Sequence, residues 1–195
     1  MIDVMRLRLL APVVLLSCAI ACASSTPSTK KKAAMEPRKI TKLVNVDAPQ
    51  SVVWDTWTTT TGVRTFLSPM ANVTAKEGGP YELLFAPEAA EGARGTEGCT
   101  ILALTAPHTL AFDVLSPPSI SLGDARTRVI VHLKALDDET TRIQIVHEGF
   151  ESGPNWDDAH FYYSEFWSGT VTRLRHRFEE GPVDWASAKS IFEWQ

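Results

Sequence analysis

His147 is the side chain in this sequence whose type and position are best suited to chemistry. It follows Ile143 and Ile145 in the segment 141–150, where apolar and polar residues alternate as in a half-buried strand. A buried imidazole must find a hydrogen-bond partner, and near neutral pH it can orient a ligand or act as a general base. Two interpretations stay open, a ligand-facing base and a structural histidine bonded to the following helix, and we favour the second.

Other reactive side chains form no recognisable catalytic or metal-binding motif. Glu148 is adjacent to His147, but alternation turns it to the opposite face and no His-Glu-x-x-His zinc motif is present. Residues 157–160 open a helix with two aspartates and a histidine, where acidic groups interact favourably with the helix dipole. Cys99 has neither a neighbouring cysteine nor a basic companion that would mark it as a nucleophile. We therefore expect no metal site and no cofactor.

A long helix must position several of these side chains. After Gly153 and Pro154, apolar residues recur at intervals of three and four from Trp156 to Phe178, which is one face of a helix over about residues 155–179. At ~1.5 Å per residue the helix would be roughly 35 Å long, enough to cross a small domain. Such a helix needs a large apolar surface to lie on.

The chain before this helix predicts an antiparallel sheet. A first strand covers residues 40–46, and a short helix over 50–60 follows Pro49, which suits a first helical turn. Six further strands, separated by turn residues, are predicted at 73–76, 81–85, 96–104, 109–115, 126–136 and 141–150. Strand–turn–strand units without intervening helices are typical of antiparallel sheets. Only the long helix is long enough to cover the apolar face of this sheet.

Residues 1–22 are typical of a bacterial signal peptide. Arg6 and Arg8 precede an apolar run at 9–21 that is shorter than the ~20 residues of a membrane-spanning helix. The tripeptides before Cys18 and Cys22 both resemble lipoprotein cleavage sites, so either cysteine is a candidate for lipidation. Ordinary signal cleavage without a lipid is the alternative. We expect a membrane-anchored lipoprotein, or a periplasmic or otherwise exported protein of the cell envelope.

The composition suits one folded domain with additional sequence. The chain has 195 residues, a formal net charge of −4 and 44% hydrophobic residues, and the lack of a basic excess argues against a nucleic-acid partner. Residues 23–37, rich in Ser, Thr, Lys and Pro, predict a flexible linker. The domain is predicted at 38–180. The apolar tail at 181–195 is expected to pack on the outside of the domain or to contact a partner.

Several short motifs occur in a characteristic order along the chain. They are Ser-Val-Val-Trp54 after Ala-Pro, Gly78-Gly79-x-Tyr81, Pro107-x-x-Leu110-x-Phe112, Thr141-x-Ile143-x-Ile145-x-His147-x-Gly149-Phe150, and Trp167 with Val171, Leu174 and Phe178. Their order and spacing resemble the START-like (SRPBCC) superfamily, in the branch named after the activator of Hsp90 ATPase homologue 1. The similarity covers roughly residues 38–179.

This resemblance implies an α+β helix-grip fold, in which a curved antiparallel sheet wraps around a long C-terminal helix and leaves an apolar ligand cavity. The residues expected to face the cavity are Phe85, Phe112, Val114, Val129, Val131, Ile145, His147, Tyr163, Phe166 and Trp167. For the aliphatic members, ordinary core packing is the simpler interpretation. Relatives usually have glycine where this chain has Phe166, so a relative's ligand is not assumed for this chain.

Three functions are compatible with these observations. The leading hypothesis is non-catalytic binding of a hydrophobic or amphipathic small molecule by a lipid-anchored protein. The second is a cyclase-like or hydrolase-like enzyme using His147 with Tyr163 or Glu165, and the third is a protein-interaction module. An Hsp90 partner is not expected, because an exported chain would not meet a cytosolic chaperone.

Overall fold

The fold is described for residues 38–187 of a computed structural model. Seven strands and three helices follow one another in this part of the chain. Their order is β1 (Arg38–Val46), α1 (Gln50–Thr58), α2 (Thr60–Arg64), β2 (Met70–Val73), β3 (Tyr81–Leu84), β4 (Ile101–Thr105), β5 (Thr109–Leu115), β6 (Arg126–Ala135), β7 (Thr141–Phe150) and α3 (Pro154–Glu179).

The strands form one antiparallel sheet of five and a hairpin that extends it. The order in the large sheet is β1-β7-β6-β5-β4, and β2 pairs with β3. The hairpin joins the edge of β4, because the Tyr81 amide donates to the Cys99 carbonyl and the Ile101 amide to the Gly79 carbonyl, each at 2.8 Å. The predicted helix-grip architecture, a curved antiparallel sheet with a long C-terminal helix, is confirmed.

Alternation along the strands gives the sheet one apolar inner face, and α3 covers it. On β6 the residues Val129, Val131 and Leu133 are buried, while the residues between them are half-buried or exposed. α3 runs in the same direction as β1, since Arg38 contacts Asp157 at 2.5 Å and the Lys42 ammonium donates to the Ser168 hydroxyl at 2.9 Å. The buried residues of α3 are Ala159, Tyr163, Phe166, Trp167, Thr170, Arg173 and Leu174.

Gly-Pro pairs bound α3 at both ends, as the sequence predicts. Gly153 precedes the helix with φ = 131°, a backbone conformation that favours glycine, and Pro154 occupies the first turn, where its missing N–H costs nothing. At the other end, Gly181 has φ = 120° and Pro182 cannot continue the helix. These local signals explain why the limits of α3 are predictable from sequence.

Three smaller elements differ from the prediction. α2 continues through Gly62, where a Cβ atom would lie 2.4 Å from the Asp55 carbonyl oxygen, so glycine allows α2 to pack closely on α1. β2 covers residues 70–73 rather than 73–76, because the Thr60 hydroxyl accepts from the Val73 amide at 3.0 Å and fixes that end. β4 begins at Ile101 rather than at residue 96, since residues 96–99 form a turn.

The start of the C-terminal tail packs on α2. The Val183 amide donates to the Thr65 carbonyl at 2.9 Å, and the Trp185 indole N–H donates to the Arg64 carbonyl at 2.6 Å. The expected signal peptide, linker and lipidation sites at 1–37, and the end of the tail at 188–195, lie outside the described residues. Within residues 38–187, no helix combines the length and apolar character needed to cross a membrane.

Candidate functional site

A small apolar cavity lies between the inner face of the sheet and α3. It has a volume of about 10 Å³ and is lined by Leu83, Phe85, Thr96, Phe112, Val114, Tyr163, Phe166 and Trp167. Such a volume is near the minimum that holds one water molecule, whereas ligand pockets usually measure about 300 Å³ or more. Side chains of the protein therefore fill most of the space between sheet and helix.

The structure brings together part of the residue set expected from sequence. Six of the ten expected residues line the cavity, namely Phe85, Phe112, Val114, Tyr163, Phe166 and Trp167. The other four, Val129, Val131, Ile145 and His147, are at most 1% exposed and pack in the core on β6 and β7. That any of them contacts a ligand stays a prediction.

Two lining residues, Leu83 and Thr96, were not expected from sequence. Leu83 alternates with Tyr81 on the inner face of the predicted strand at 81–85, so alternation could have identified it. Thr96 lies in a turn, and its hydroxyl accepts from the Leu83 amide at 2.8 Å. No sequence periodicity indicates the orientation of a turn residue.

Phe166 is the centre of the aromatic cluster at the cavity. Its ring centroid lies 4.9 Å from that of Trp167, 5.8 Å from Phe85 and 6.1 Å from Tyr163, all with edge-to-face geometry. The ring of Tyr162 stacks on it at 6.5 Å. Edge-to-face and offset aromatic pairs contribute about 0.5–1.5 kcal/mol beyond burial. The Phe166 ring thus takes part in filling the interior between the sheet and α3.

His147 is bonded through both ring nitrogens to protein atoms. The Trp167 indole N–H donates to Nδ1 at 2.9 Å, so Nε2 carries the proton and donates to the Thr127 hydroxyl at 2.7 Å. The Thr127 hydroxyl in turn donates to the Val114 carbonyl at 3.3 Å. This chain of bonds connects α3 to β7, β6 and β5. It satisfies the imidazole inside the core, as a structural histidine requires.

The environment of His147 keeps the ring neutral. Burial, with a smaller contribution from the positive charge of His160, lowers the pKa of His147 to about 3. A general base acting near neutral pH needs a pKa near that pH and a free nitrogen facing the substrate. Glu165, the proposed partner of an enzymatic His147, is exposed on α3. Both nitrogens of His147 are instead occupied by Trp167 and Thr127.

The two adjacent tyrosines of α3 differ in their hydrogen bonds. The Tyr163 hydroxyl donates to the Leu115 carbonyl, and burial raises the pKa of Tyr163 well above its usual value. The Tyr162 hydroxyl oxygen is also buried, and burial likewise raises its pKa. Among residues 38–187, however, no group forms a hydrogen bond with the Tyr162 hydroxyl. The Tyr162 ring stacks on that of Phe166, which lines the cavity.

Cys99 has a basic companion that the sequence did not indicate. Arg126 Nη1 lies 3.4 Å from the Cys99 sulfur and 2.6 Å from Asp113 Oδ2. Burial, followed by the negative charge of Asp113, nevertheless raises the pKa of Cys99 to about 11. The group is a neutral thiol at physiological pH, which agrees with the expectation that Cys99 is not an activated nucleophile.

The acidic start of α3 takes part in an ion pair with β1. Asp157 Oδ1 lies 2.5 Å from the Arg38 guanidinium. In the part of the chain that the structure describes, no three His, Cys, Asp or Glu side chains come close enough to share a metal ion.

Solved structures with the same fold come from several bacteria. Protein MLL2253 from Mesorhizobium loti matches with a TM-score of 0.60 and 16% identity over 75% of this chain and 100% of its own. CalU16 from Micromonospora echinospora matches with a TM-score of 0.56 and 18% identity, over 76% of this chain and 78% of its own. Aha1 from Colwellia psychrerythraea, solved as a dimer, matches with a TM-score of 0.55 and 13% identity, over 74% of this chain and 98% of its own. At these identities the similarity establishes the fold alone.

Sequence comparison identifies the family directly. A search of curated proteins gives no match. The family model described as Activator of Hsp90 ATPase homolog 1-like protein matches residues 47–179, which is more than half of the chain and includes every element from α1 to α3. The chain therefore belongs to the family of activator of Hsp90 ATPase homolog 1-like proteins, within the START-like (SRPBCC) superfamily of ligand-binding folds.

Proposed function

We propose that this protein is an exported, lipid-anchored START-like domain that binds a small hydrophobic or amphipathic molecule between its sheet and α3, without catalysing a reaction. The observation that carries the proposal is the cavity lining at this interface. It consists of aromatic and aliphatic side chains together with Thr96. Small-molecule sites in proteins are typically apolar with a few polar groups that fix orientation.

The hydrogen bonds around the cavity support binding rather than catalysis. His147 donates to Thr127 and accepts from Trp167, and the Tyr163 hydroxyl donates to the Leu115 carbonyl. The His147 imidazole and the Tyr163 hydroxyl, which are the groups that could act as acid or base, thus form hydrogen bonds that join α3 to the sheet. The cyclase-like or hydrolase-like alternative would require breaking these buried bonds, which costs about 1–3 kcal/mol for each group left unpaired.

A ligand larger than water would have to displace aromatic rings. Phe85 and Phe166 are the natural candidates, because they contact each other edge to face at 5.8 Å and both line the cavity. Phe85 is half-buried directly after β3, at the start of the Gly-rich and Ala-rich segment 86–95. We infer that the Phe85 ring swings outward and that the ligand occupies the space between β3, β5 and α3.

The unpaired hydroxyl of Tyr162 favours an amphipathic ligand over a purely hydrophobic one. Its buried hydroxyl has no hydrogen-bond partner among the described residues, and its ring stacks on Phe166. A ligand that replaces part of the Phe85–Phe166 contact with an apolar group could place an oxygen or nitrogen acceptor near this hydroxyl. Satisfying a buried donor in this way gives both affinity and orientation.

Export and the lipid anchor rest on the sequence of residues 1–22, whose apolar run follows two arginines and contains two candidate cysteines. The test is expression in a bacterium, followed by mass spectrometry of the N-terminal peptide of the wild type and of the Cys18→Ser and Cys22→Ser variants. A lipid on the N-terminal cysteine, abolished by one of the two substitutions, is expected. An unmodified N-terminus at Met1 would overturn this part of the proposal.

Ligand binding is tested by comparing two phenylalanines on the same helix. Phe166→Ala removes a ring from the cavity lining, whereas Phe161→Ala removes the same atoms from a side chain that is 71% exposed. The melting temperature of each variant and of the wild type is measured with and without indole, benzene and dodecanoic acid. Native mass spectrometry then detects any complex of protein and probe. A ligand at 100 times its Kd stabilises the folded state by about 2.7 kcal/mol.

The expected result is a thermal shift in the wild type with at least one probe, changed by Phe166→Ala and unaffected by Phe161→Ala. Phe166→Ala should also bind benzene, because it removes a buried phenyl ring of about benzene's size and leaves an apolar cavity, and apolar cavities in proteins bind benzene. Binding by Phe166→Ala alone would show that the native ring closes the site, and it would overturn ligand binding by the natural chain.

A further inference from the structure

A second concave site lies on the outside of the domain, between the edge strand β1 and the C-terminal half of α3. It is a cleft of about 460 Å³ lined by Leu43, Val44, Asn45, Arg142 and Arg175. The cleft is separate from the internal cavity, since the two share no lining residue. Three elements contribute to it: β1, β7 and α3.

The two arginines of this cleft carry charge that the protein does not neutralise. Arg142 Nε donates to the Asn45 side-chain oxygen at 3.2 Å, which is a neutral partner. Within residues 38–187, neither Arg142 nor Arg175 takes part in an ion pair, in contrast to Arg38, Arg94, Arg126 and Arg128. Arg64 also makes no ion pair in this range, but it lies on α2, away from the cleft. Glu179 follows Arg175 by one helical turn and makes no ion pair with it. The cleft is thus a local positive site on a chain whose net charge is −4.

An exposed leucine lies at the same place. Leu43 is 58% exposed on β1, between Lys42 and the cleft residue Val44. The neighbouring Lys42 points to the other face of β1, where its ammonium donates to the Ser168 hydroxyl at 2.9 Å. An exposed apolar side chain in a cleft with two arginines that make no ion pair in the described part of the chain is suited to a partner that is negatively charged at its surface and apolar beneath it. Anionic lipid headgroups over acyl chains have this chemistry.

We propose that this cleft docks the domain on a membrane surface by holding the phosphate of an anionic lipid between Arg142 and Arg175, with Leu43 reaching the acyl boundary. The inference rests on the proposed lipid anchor, which would keep the cleft close to a bilayer. Leu43 lies five residues after the start of β1, roughly 17 Å along the strand. Because β1 is the first element of the described domain, Leu43 lies near the end of the domain that follows the proposed anchor.

The test uses nuclear magnetic resonance on the full chain carrying Cys18→Ser and Cys22→Ser, so that no attached lipid contributes. The Arg side-chain Nε–Hε signals and the Leu43 methyl signals are followed during titration with dihexanoyl-phosphatidylglycerol below its micelle concentration. Parallel titrations use dihexanoyl-phosphatidylcholine and inorganic phosphate. The variant Arg142→Gln/Arg175→Gln is compared with Arg64→Gln/Lys76→Gln, which removes the same charge from the α2 and β2–β3 regions.

The expected result is saturable shifts at Leu43, Arg142 and Arg175 with the anionic lipid and weaker binding of the other two probes. Each arginine near an anionic surface contributes about fivefold to binding, so the cleft variant should lose roughly 30-fold and the control variant little. Equal affinity for phosphatidylcholine or for inorganic phosphate would overturn the assignment to an anionic lipid, as would unchanged binding in the cleft variant. Because the readout is local to the cleft, failure here is distinct from failure of the anchor, which the N-terminal mass reports.

Discussion

Two polar groups on α3 are buried against aromatic rings, but among the described residues only one of them has a hydrogen-bond partner. The Trp167 indole N–H donates to His147, whose other nitrogen is also bonded. Five residues earlier, the Tyr162 hydroxyl is buried without a partner among the described residues. A satisfied buried group fixes one arrangement of sheet and helix, whereas an unsatisfied one costs free energy. The difference separates a region around His147, whose buried polar groups are paired, from a region around Tyr162 and Phe166, where a buried hydroxyl is unpaired within residues 38–187 and where we propose that a ligand binds.

The largest expected effect comes from breaking the satisfied region. His147→Leu keeps the side-chain volume approximately but leaves the Trp167 indole N–H without its acceptor and the Thr127 hydroxyl without its donor. The free energy of unfolding should fall by about 2–4 kcal/mol, which corresponds to roughly 5–15 °C in melting temperature. Urea unfolding followed by tryptophan fluorescence measures this change.

The matched control is His132→Leu on β6. His132 is exposed and contacts Thr109 at 3.2 Å, so its replacement should change stability by less than about 0.5–1 kcal/mol. Equal losses of unfolding free energy in His147→Leu and His132→Leu would show that the buried hydrogen bonds of His147 add no more stability than an exposed contact. The contrast between the two regions of α3 would then disappear.

The pH dependence of stability gives a second, smaller effect from the same histidine. Burial lowers the folded-state pKa of His147 to about 3, while the unfolded chain has a value near 6.5. As the pH falls, the unfolded state therefore binds a proton before the folded state does. The stability that the neutral His147 contributes to the folded state is thus fully present above pH 6.5 and is lost between pH 6.5 and about pH 3. By pH 5.5 the loss relative to neutral pH should be about 1.4 kcal/mol.

Urea midpoints at pH 7.5 and 5.5 measure this loss, and His147→Gln, which does not titrate, is the comparison. Burial also lowers the pKa of His160, so a smaller dependence of the same sign remains in the variant. A wild type and a His147→Gln variant with the same pH dependence would contradict a neutral, buried His147.

The elements set by local signals were predictable from the sequence. The spacing of apolar residues and the Gly-Pro pairs predict α3 almost residue by residue, and alternation predicts β5 and β7. The position of β2 was predicted wrongly because it depends on a bond between Val73 and Thr60, which no local pattern reports. The close packing of α2 on α1 at Gly62 is likewise a tertiary contact, and it overrides the tendency of glycine to end a helix.

The candidate site was predictable only where it lies on regular elements. Phe112, Val114, Tyr163 and Trp167 follow from the period of a strand or helix, and the structure places them at the cavity. The volume of the cavity did not follow, because it depends on how side chains pack together. The contact of Arg126 with Cys99 joins residues 27 positions apart, and it depends on β5 pairing with both β4 and β6, so sequence spacing did not indicate it.

The most discriminating comparison has the smallest effect and concerns adjacent tyrosines. Tyr162→Phe removes a buried hydroxyl that lacks a partner, so the free energy of unfolding should rise by about 1 kcal/mol. Tyr163→Phe removes a hydroxyl that donates to the Leu115 carbonyl, so the same substitution one position later should lower the free energy of unfolding by about 0.5–1.5 kcal/mol.

Urea unfolding at pH 7.5, without ligand, measures the change in both tyrosine variants. Opposite signs would show that the Tyr162 hydroxyl is unpaired in the folded protein, and under the proposed function Tyr162→Phe should then weaken binding of any amphipathic molecule found in the cavity. A loss of stability in both variants would mean that the Tyr162 hydroxyl is bonded in solution, and the distinction between the two regions of α3 would then rest on His147 alone.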